Sequence, residues 1–186
     1  MLTTVSALAI SAQTTITTNQ PSYVRPSAEK RFKRFVNDTI GPFAWAGVAA
    51  SAGFSTITNE PKEWGKTANG FGKRFASTFG KNVIRNTMIY GLDEALKLDS
   101  HYYRSTKRGF GSRAGNAIFS TFTARTSTGK RTVGVPRIVG TYAANIIAAE
   151  AWYPSRYGWK DGVKSGTISL GINSVFNLVK EFIFKK

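Results

Sequence analysis

The 186-residue chain contains no cysteine, which excludes disulfides, thiolate metal sites and cysteine nucleophiles together. Histidine occurs once, at His101, so a His-rich zinc site cannot be assembled. A Ser/His/acid triad would have to use that residue, and no Gly-x-Ser-x-Gly turn exists to carry the serine. Acids are few as well: 10 Asp+Glu stand against 26 Lys+Arg. Glu60 and Glu63 flank Pro61, and Asp93 and Glu94 are adjacent. Neither spacing indicates the carboxylate pair of a glycosidase, and helix-end charge bias accounts for both. Gly70-x-Gly72 and Gly109-x-Gly111 are incomplete as dinucleotide fingerprints, and Gly129-Lys130 lacks the upstream glycine of a phosphate loop. The sequence therefore assigns no catalytic residue, no metal ligand and no cofactor.

What is present is positive charge and small residues. A net charge of +16 draws anionic partners over long range. Glycine supplies 18 residues, above the usual ~7%, and with abundant Ala, Ser and Thr this points to close helix packing or many turns. Residues 1–26 read as a leader and linker. Leu2–Ala12 is a short run of apolar and small residues, Ile10-Ser11-Ala12 has the form of a cleavage site before Gln13, and the Thr-rich stretch to Pro26 follows. The run resembles the end of a secretory signal but lacks the positive residues that open one. Export to the cell envelope or periplasm is the expected localisation.

From Ser27 onward the patterning is helical. Ser27 can cap a helix whose Phe32, Phe35 and Val36 share a face opposite Lys30, Arg31, Lys33 and Arg34. That is a basic amphipathic helix, suited equally to a headgroup layer or to docking on a core. Gly41-Pro42 breaks it and opens the next helix. The stretch Phe43–Phe54 is uncharged and rich in small residues, and is expected to be a buried core helix, although Thr39–Asn59 is long enough to span a bilayer. Trp64, Ala68, Phe71, Phe75 and Phe79 form the stripe of a long helix, continued by Ile84, Met88, Leu92 and Leu96. Leu98–Gly111 reads as a loop and Arg113–Thr123 as a helix. Thr126–Thr132 is a polar turn that could instead join two short strands. Pro136 opens a helix carrying Ile138, Val139, Tyr142, Ile146 and Ala149 on one face, ending before Pro154. The last helix lies within Trp159–Phe184, with a stripe of Ile168, Ile172, Val175, Val179 and Phe182. Asn145, Asn173 and Asn177 sit in these apolar helices and must find hydrogen bonds to other helices if buried.

The most informative segment is the basic middle. Lys97–Arg137 holds nine Lys/Arg and one acid, Asp99. Arg104, Lys107, Arg108, Arg113, Lys130 and Arg131 are the candidate contacts to an anionic surface. Tyr102, Tyr103, Trp152, Tyr153 and Trp159 are the candidate interfacial aromatics. An anionic lipid or an envelope polymer is the expected partner; nucleic acid, held by the same basic segment with aromatic stacking, is the alternative.

Four short blocks carry a resemblance: Gly70-Phe-Gly-Lys-Arg-Phe-Ala76, Ile84-Arg-Asn-Thr87, His101-Tyr-Tyr-Arg104 and Ala151-Trp-Tyr-Pro154. With these the chain resembles, from about Ser27 to the C-terminus, a family of exported proteins of soil bacteria, acidobacteria especially, that has no assigned activity. The resemblance implies export and supplies no mechanism. The family shows Asp-Pro-Arg-Tyr where this chain has Asp99-Ser-His-Tyr102, which argues against an essential role for His101. The combined expectation is an all-α bundle of five or six helices in a single domain over 27–186. Its function is expected to be that of a non-enzymatic, membrane-associated envelope protein, with an enzyme of unstated class as a weaker alternative.

Overall fold

The computed structural model describes residues 23–183, and the leader-like run Leu2–Ala12 lies outside them. The described residues are all-α: α1 Ala28–Ile40, α2 Pro42–Ile57, α3 Ala68–Ala95, α4 Phe110–Phe122, α5 Val135–Ala151 and α6 Trp159–Phe182. A hairpin of two three-residue strands, β1 Thr123–Arg125 and β2 Arg131–Val133, interrupts them. The polar turn after Arg125 thus joins strands, with Gly129 at φ 83° where a side chain would be strained.

The stops and starts follow local chemistry. Ser27 Oγ accepts the Lys30 N–H at the start of α1, a cap that contributes about 1 kcal/mol. Gly41 ends α1, and a Cβ there would lie 2.4 Å from the Asn37 carbonyl oxygen. Pro42 occupies the first turn of α2, where its missing N–H is not needed. Helix α4 starts at Phe110, three residues before the expected Arg113.

The helices stand in a row. α1 and α2 lie along α3, α3 lies on α5, α5 on α6, and α6 on α4. Neighbours run antiparallel. Arg31 pairs with Glu94 while Asn86 donates to the Asp38 carbonyl, so α1 descends α3. Gly140 faces Arg85 and Ile89, whereas Trp152 reaches Ser77. Gly162 faces Ile146, and Gly166 faces Tyr142.

The buried faces are not the apolar faces. On α5 the enclosed residues are Pro136, Gly140, Thr141, Ala144, Asn145, Ala148 and Ala149. On α6 they are Gly162, Gly166, Leu170, Asn177 and Glu181. The expected stripe of α6 lies on the opposite side, with Ile168, Ile172 and Val175 exposed. Helix α2 forms as expected but is not a core helix: Val48 and Ala52 alone are buried, and Phe43 is 87% exposed. Among the described residues, Val48, Leu98 and Leu170 are the only buried hydrophobics larger than alanine. Small residues cause this inversion, because they let helix backbones approach closely and leave the larger side chains no room between helices. A Cβ on Gly162 would meet the Ile146 Cα at 2.5 Å.

Asn145 and Asn177 are buried and Asn173 is half-buried, and the three are satisfied in different ways. Asn177 bonds across to α4, donating to the Ala117 carbonyl at 3.2 Å and to Thr121 Oγ1 at 3.1 Å. Asn145 donates to Thr141 O of its own helix at 2.9 Å and reaches Ser169 of α6 only at 3.5 Å. Asn173 bonds within α6.

Candidate functional site

The antiparallel row gives the molecule two chemically different ends. One gathers the N-terminus of α1, the C-termini of α3 and α6, the 96–109 segment, the hairpin and the start of α5. The other gathers the 58–67 turn, the 152–158 turn, the N-termini of α3 and α6 and the C-termini of α2 and α5. The candidate cations fall at the first end. Of the aromatics, Tyr102 and Tyr103 join them there, while Trp152, Tyr153 and Trp159 lie at the other.

Two buried carboxylates organise the cationic end. Glu181, 1% exposed, accepts from Arg113 Nε at 3.0 Å and from the Ser105 N–H at 3.2 Å. Tyr102 also donates its hydroxyl proton to it. Arg113 reaches the Glu181 carbonyl at 2.5 Å and lies on the Phe182 ring. Arg104 donates to Lys180 O at 2.7 Å. Arg104 and Arg113 therefore close the C-terminus of α6, where cations meet the negative end of the helix dipole. Burial, then the hydrogen bond to Glu181, pushes the Tyr102 phenol well up.

Asp99 is the second organiser. It accepts from Tyr23 OH at 2.6 Å, Tyr103 OH at 2.7 Å and the His101 N–H at 2.9 Å. Burial alone would raise its carboxyl, but the Tyr23 and Tyr103 hydroxyls outweigh burial and hold it below the usual range. The Arg125 guanidinium sits over both tyrosine rings, 5.3 and 5.2 Å from their centroids. Arg34 donates to Tyr103 OH at 3.0 Å. Arg137 donates to the Ser120 and Ser100 carbonyls.

The six candidate cations thus divide. Arg104 and Arg113 are committed to α6, and Arg131 donates to Asn116. Lys107, Arg108 and Lys130 face solvent with no ion pair among the described residues. The ring of His101 packs edge-on against Tyr103, with no hydrogen bond of its own among the described residues. Its surroundings lower the imidazole to about 4 through desolvation, then repulsion from Arg34. It is neutral at neutral pH.

Between the ends, the row carries a few polar groups on its packed faces. Arg85 of α3 donates to Asn82 Oδ1 at 3.0 Å, yet its Nε is enclosed without a partner among the described residues. It lies within electrostatic reach of Asp38. Thr141 Oγ1 is also enclosed and unpartnered among the described residues.

The second end is aromatic. Trp64, Trp152, Tyr153, Tyr157 and Trp159 collect there, with Trp64 edge-on to Tyr153 and Tyr153 edge-on to Tyr157. Trp152 Nε1 donates to Ser77 Oγ at 2.9 Å, and Lys81 donates to Tyr153 OH at 3.0 Å. Arg156 pairs with Glu63 at 2.6 Å and lies 3.8 Å from Glu60. Tyr157 donates to Glu60, and burial followed by that contact pushes its phenol up to about 12.

Sequence reasoning missed Arg74 at this end. It is 2% exposed and donates to Glu60 O at 2.8 Å, Pro61 O at 2.7 Å and Gly65 O at 2.5 Å. The only sequence signal was an arginine on the aromatic stripe of α3, one position before Phe75.

Between the two ends the outer faces are apolar: Ile40, Phe43, Phe54 and Ile57; Ile118, Phe119 and Phe122; Val139 and Ile147; Ile168, Ile172, Val175 and Phe176. By length and composition alone, the α1–α2 run Ala28–Ile57, broken at Gly41, contains a stretch apolar enough to cross a membrane. No family model, curated protein or solved structure matches the chain.

Proposed function

We propose that this chain is a non-enzymatic protein of the bacterial cell envelope that embeds its row of helices in a membrane. The observation that carries the reading is the inverted burial: Gly, Ala, Thr and Asn are enclosed while Ile, Val and Phe point outward. In water each large apolar side chain left outside forgoes about 1.5–3 kcal/mol of burial, and a contiguous patch of this kind marks an interaction surface. In lipid the same arrangement is favourable, because helices there associate through small residues and interhelical hydrogen bonds. The ends fit as well. Tryptophan and tyrosine prefer the headgroup level, and exposed Lys and Arg meet anionic lipid. The uncharged stretches of α5, Ile138–Ala149, and of α6, Ser165–Val179, are shorter than a ~30 Å hydrocarbon core. Lys164 and Lys180, exposed at the limits of the α6 stretch, accordingly reach outward along their stems, or the bilayer thins.

The test is fractionation of the native host with an antibody to the chain, followed by a carbonate wash of the membranes. Resistance to the wash is the expected result. Release by carbonate would restrict the protein to the membrane surface. Recovery in the cytosol would overturn the reading and make nucleic acid the leading partner.

A further inference from the structure

The aromatic end holds a cleft of about 540 Å³ lined by Trp64, Lys73, Ala76, Ser77, Gly80 and Trp152. Its construction is specific. The Trp152 indole is fixed by its N–H bond to Ser77, and its ring lies over Gly80, where a Cβ would just touch it at 3.7 Å. Trp64 is braced by Tyr153 at a ring separation of 5.2 Å and by the Arg74 guanidinium at 5.9 Å. Two indoles held in place therefore line the cleft together with the small residues Ala76, Ser77 and Gly80.

Charge decides the occupant. Lys73 is exposed at the rim and has no hydrogen bond or ion pair among the described residues. The acids of the neighbouring turn, Glu60 and Glu63, are already engaged by Arg156. The other cation nearby, Lys81, is held by Tyr153. The cleft thus presents one free ammonium beside an apolar slot, at the level where the outward apolar faces give way to Trp and Tyr. An anion attached to an acyl chain satisfies both halves, whereas a free anion leaves the indole walls without a partner.

We propose that this cleft binds one anionic phospholipid, its phosphate at Lys73 and the start of an acyl chain between Trp64 and Trp152. The proposal rests on the membrane-embedded reading above.

The experiment uses the full chain with Trp45→Phe and Trp159→Phe, which leaves the two cleft indoles as reporters. The protein is first floated with phosphatidylcholine vesicles, and failure to float overturns embedding and this site together. It is then placed in vesicles carrying a fixed fraction of brominated lipid, either phosphatidylglycerol or phosphatidylcholine, and indole quenching is read. The expected result is an about fivefold preference for brominated phosphatidylglycerol, the size of one lysine near an anionic headgroup. Lys73→Gln abolishes that preference without affecting flotation, and Gly80→Leu, which fills the slot, lowers quenching by both lipids. A protein that floats but is quenched equally by the two lipids, or whose preference survives Lys73→Gln, overturns the site and leaves the embedded reading intact.

Discussion

Gly162 of α6 lies directly on the backbone of α5 at Ile146: a Cβ at 162 would stand 2.5 Å from the Ile146 Cα and 2.9 Å from its nitrogen. Backbone cannot move aside as a flexible side chain can, so even a methyl group must part the two helices. Gly171, on the same helix, has open space where its Cβ would be. The two glycines therefore respond oppositely to one substitution. Gly162→Ala is expected to destabilise by about 2 kcal/mol through overpacking, whereas Gly171→Ala is expected to gain up to about 1 kcal/mol of helix propensity. Thermal unfolding of the full chain in one detergent reads both. A loss at Gly171 equal to that at Gly162 would refute close packing as the reason for glycine at 162.

Arg74 makes a second prediction. Its guanidinium gathers three carbonyls of the 60–65 turn, and a fork of fixed N–H groups is needed to reach them. Arg74→Lys keeps the charge but leaves carbonyls unpaired inside the protein, which is expected to cost about 3 kcal/mol. Arg74→Met removes the charge and also orphans them. Limited proteolysis within residues 58–66 is expected to accelerate in both variants, with little change in the 97–109 segment. Equal protection of the 58–66 turn in Arg74→Lys would show that the charge alone suffices.

Which parts of this molecule could be read from its sequence follows from what sequence patterns measure. Ser27, Gly41-Pro42 and Pro136 act through backbone geometry and capping, which depend only on neighbouring residues, and the helices begin and break where they indicate. Helix orientation was a different matter. Reading an apolar stripe such as Ile168, Ile172 and Val175 as the inward face assumes water outside and no partner covering it, and the stripe is exposed. Here the enclosed face is Gly162, Gly166 and Leu170, a spacing of four that small-residue helices also show by chance. The candidate site was legible as composition and not as position. The cations and the tryptophans are both present, but the antiparallel row sends them to opposite ends. Arg104 and Arg113 look like free charges until Glu181, about seventy residues away, is brought beneath them.

Acid sensitivity is expected at the cationic end, in two stages. The folded state keeps the His101 imidazole neutral down to about 4, against an ordinary value of 6.5. Between those values the unfolded chain holds more protons than the folded one, so stability falls as pH drops through that window. Asp99 acts lower. Its carboxyl is held below the usual range, so its contribution is present above ~3.9, the unfolded value, and is lost as pH falls through the folded one. His101→Asn is expected to flatten the melting temperature between pH 4 and 6.5, leaving the lower step. Asp99→Asn is expected to remove the lower step while lowering stability at neutral pH, because Tyr23, Tyr103 and the His101 N–H lose a charged acceptor. Two wild-type-like profiles would refute these assignments.

Ile172 offers the sharpest separation of lipid from water. It lies midway along the uncharged stretch of α6 bounded by Lys164 and Lys180, and its side chain is exposed. On a helix bathed in water, replacing an exposed isoleucine by lysine changes stability by no more than about 0.5 kcal/mol. At the centre of a lipid-facing helix the same ammonium costs about 3 kcal/mol on insertion scales, reduced where the stem can bring it to the interface. Ile172→Lys is therefore expected to depress membrane insertion and thermal stability together, with Thr128→Lys, on the solvent-exposed hairpin turn, as the neutral control. The same change near the helix limits is expected to be milder, because a shorter reach returns the ammonium to water. If Ile172→Lys and Thr128→Lys behave alike in carbonate-washed membranes and in unfolding, the outward face of α6 does not meet hydrocarbon. The inverted burial would then have to be covered by protein instead, and the oligomeric state of the chain would become the quantity to measure.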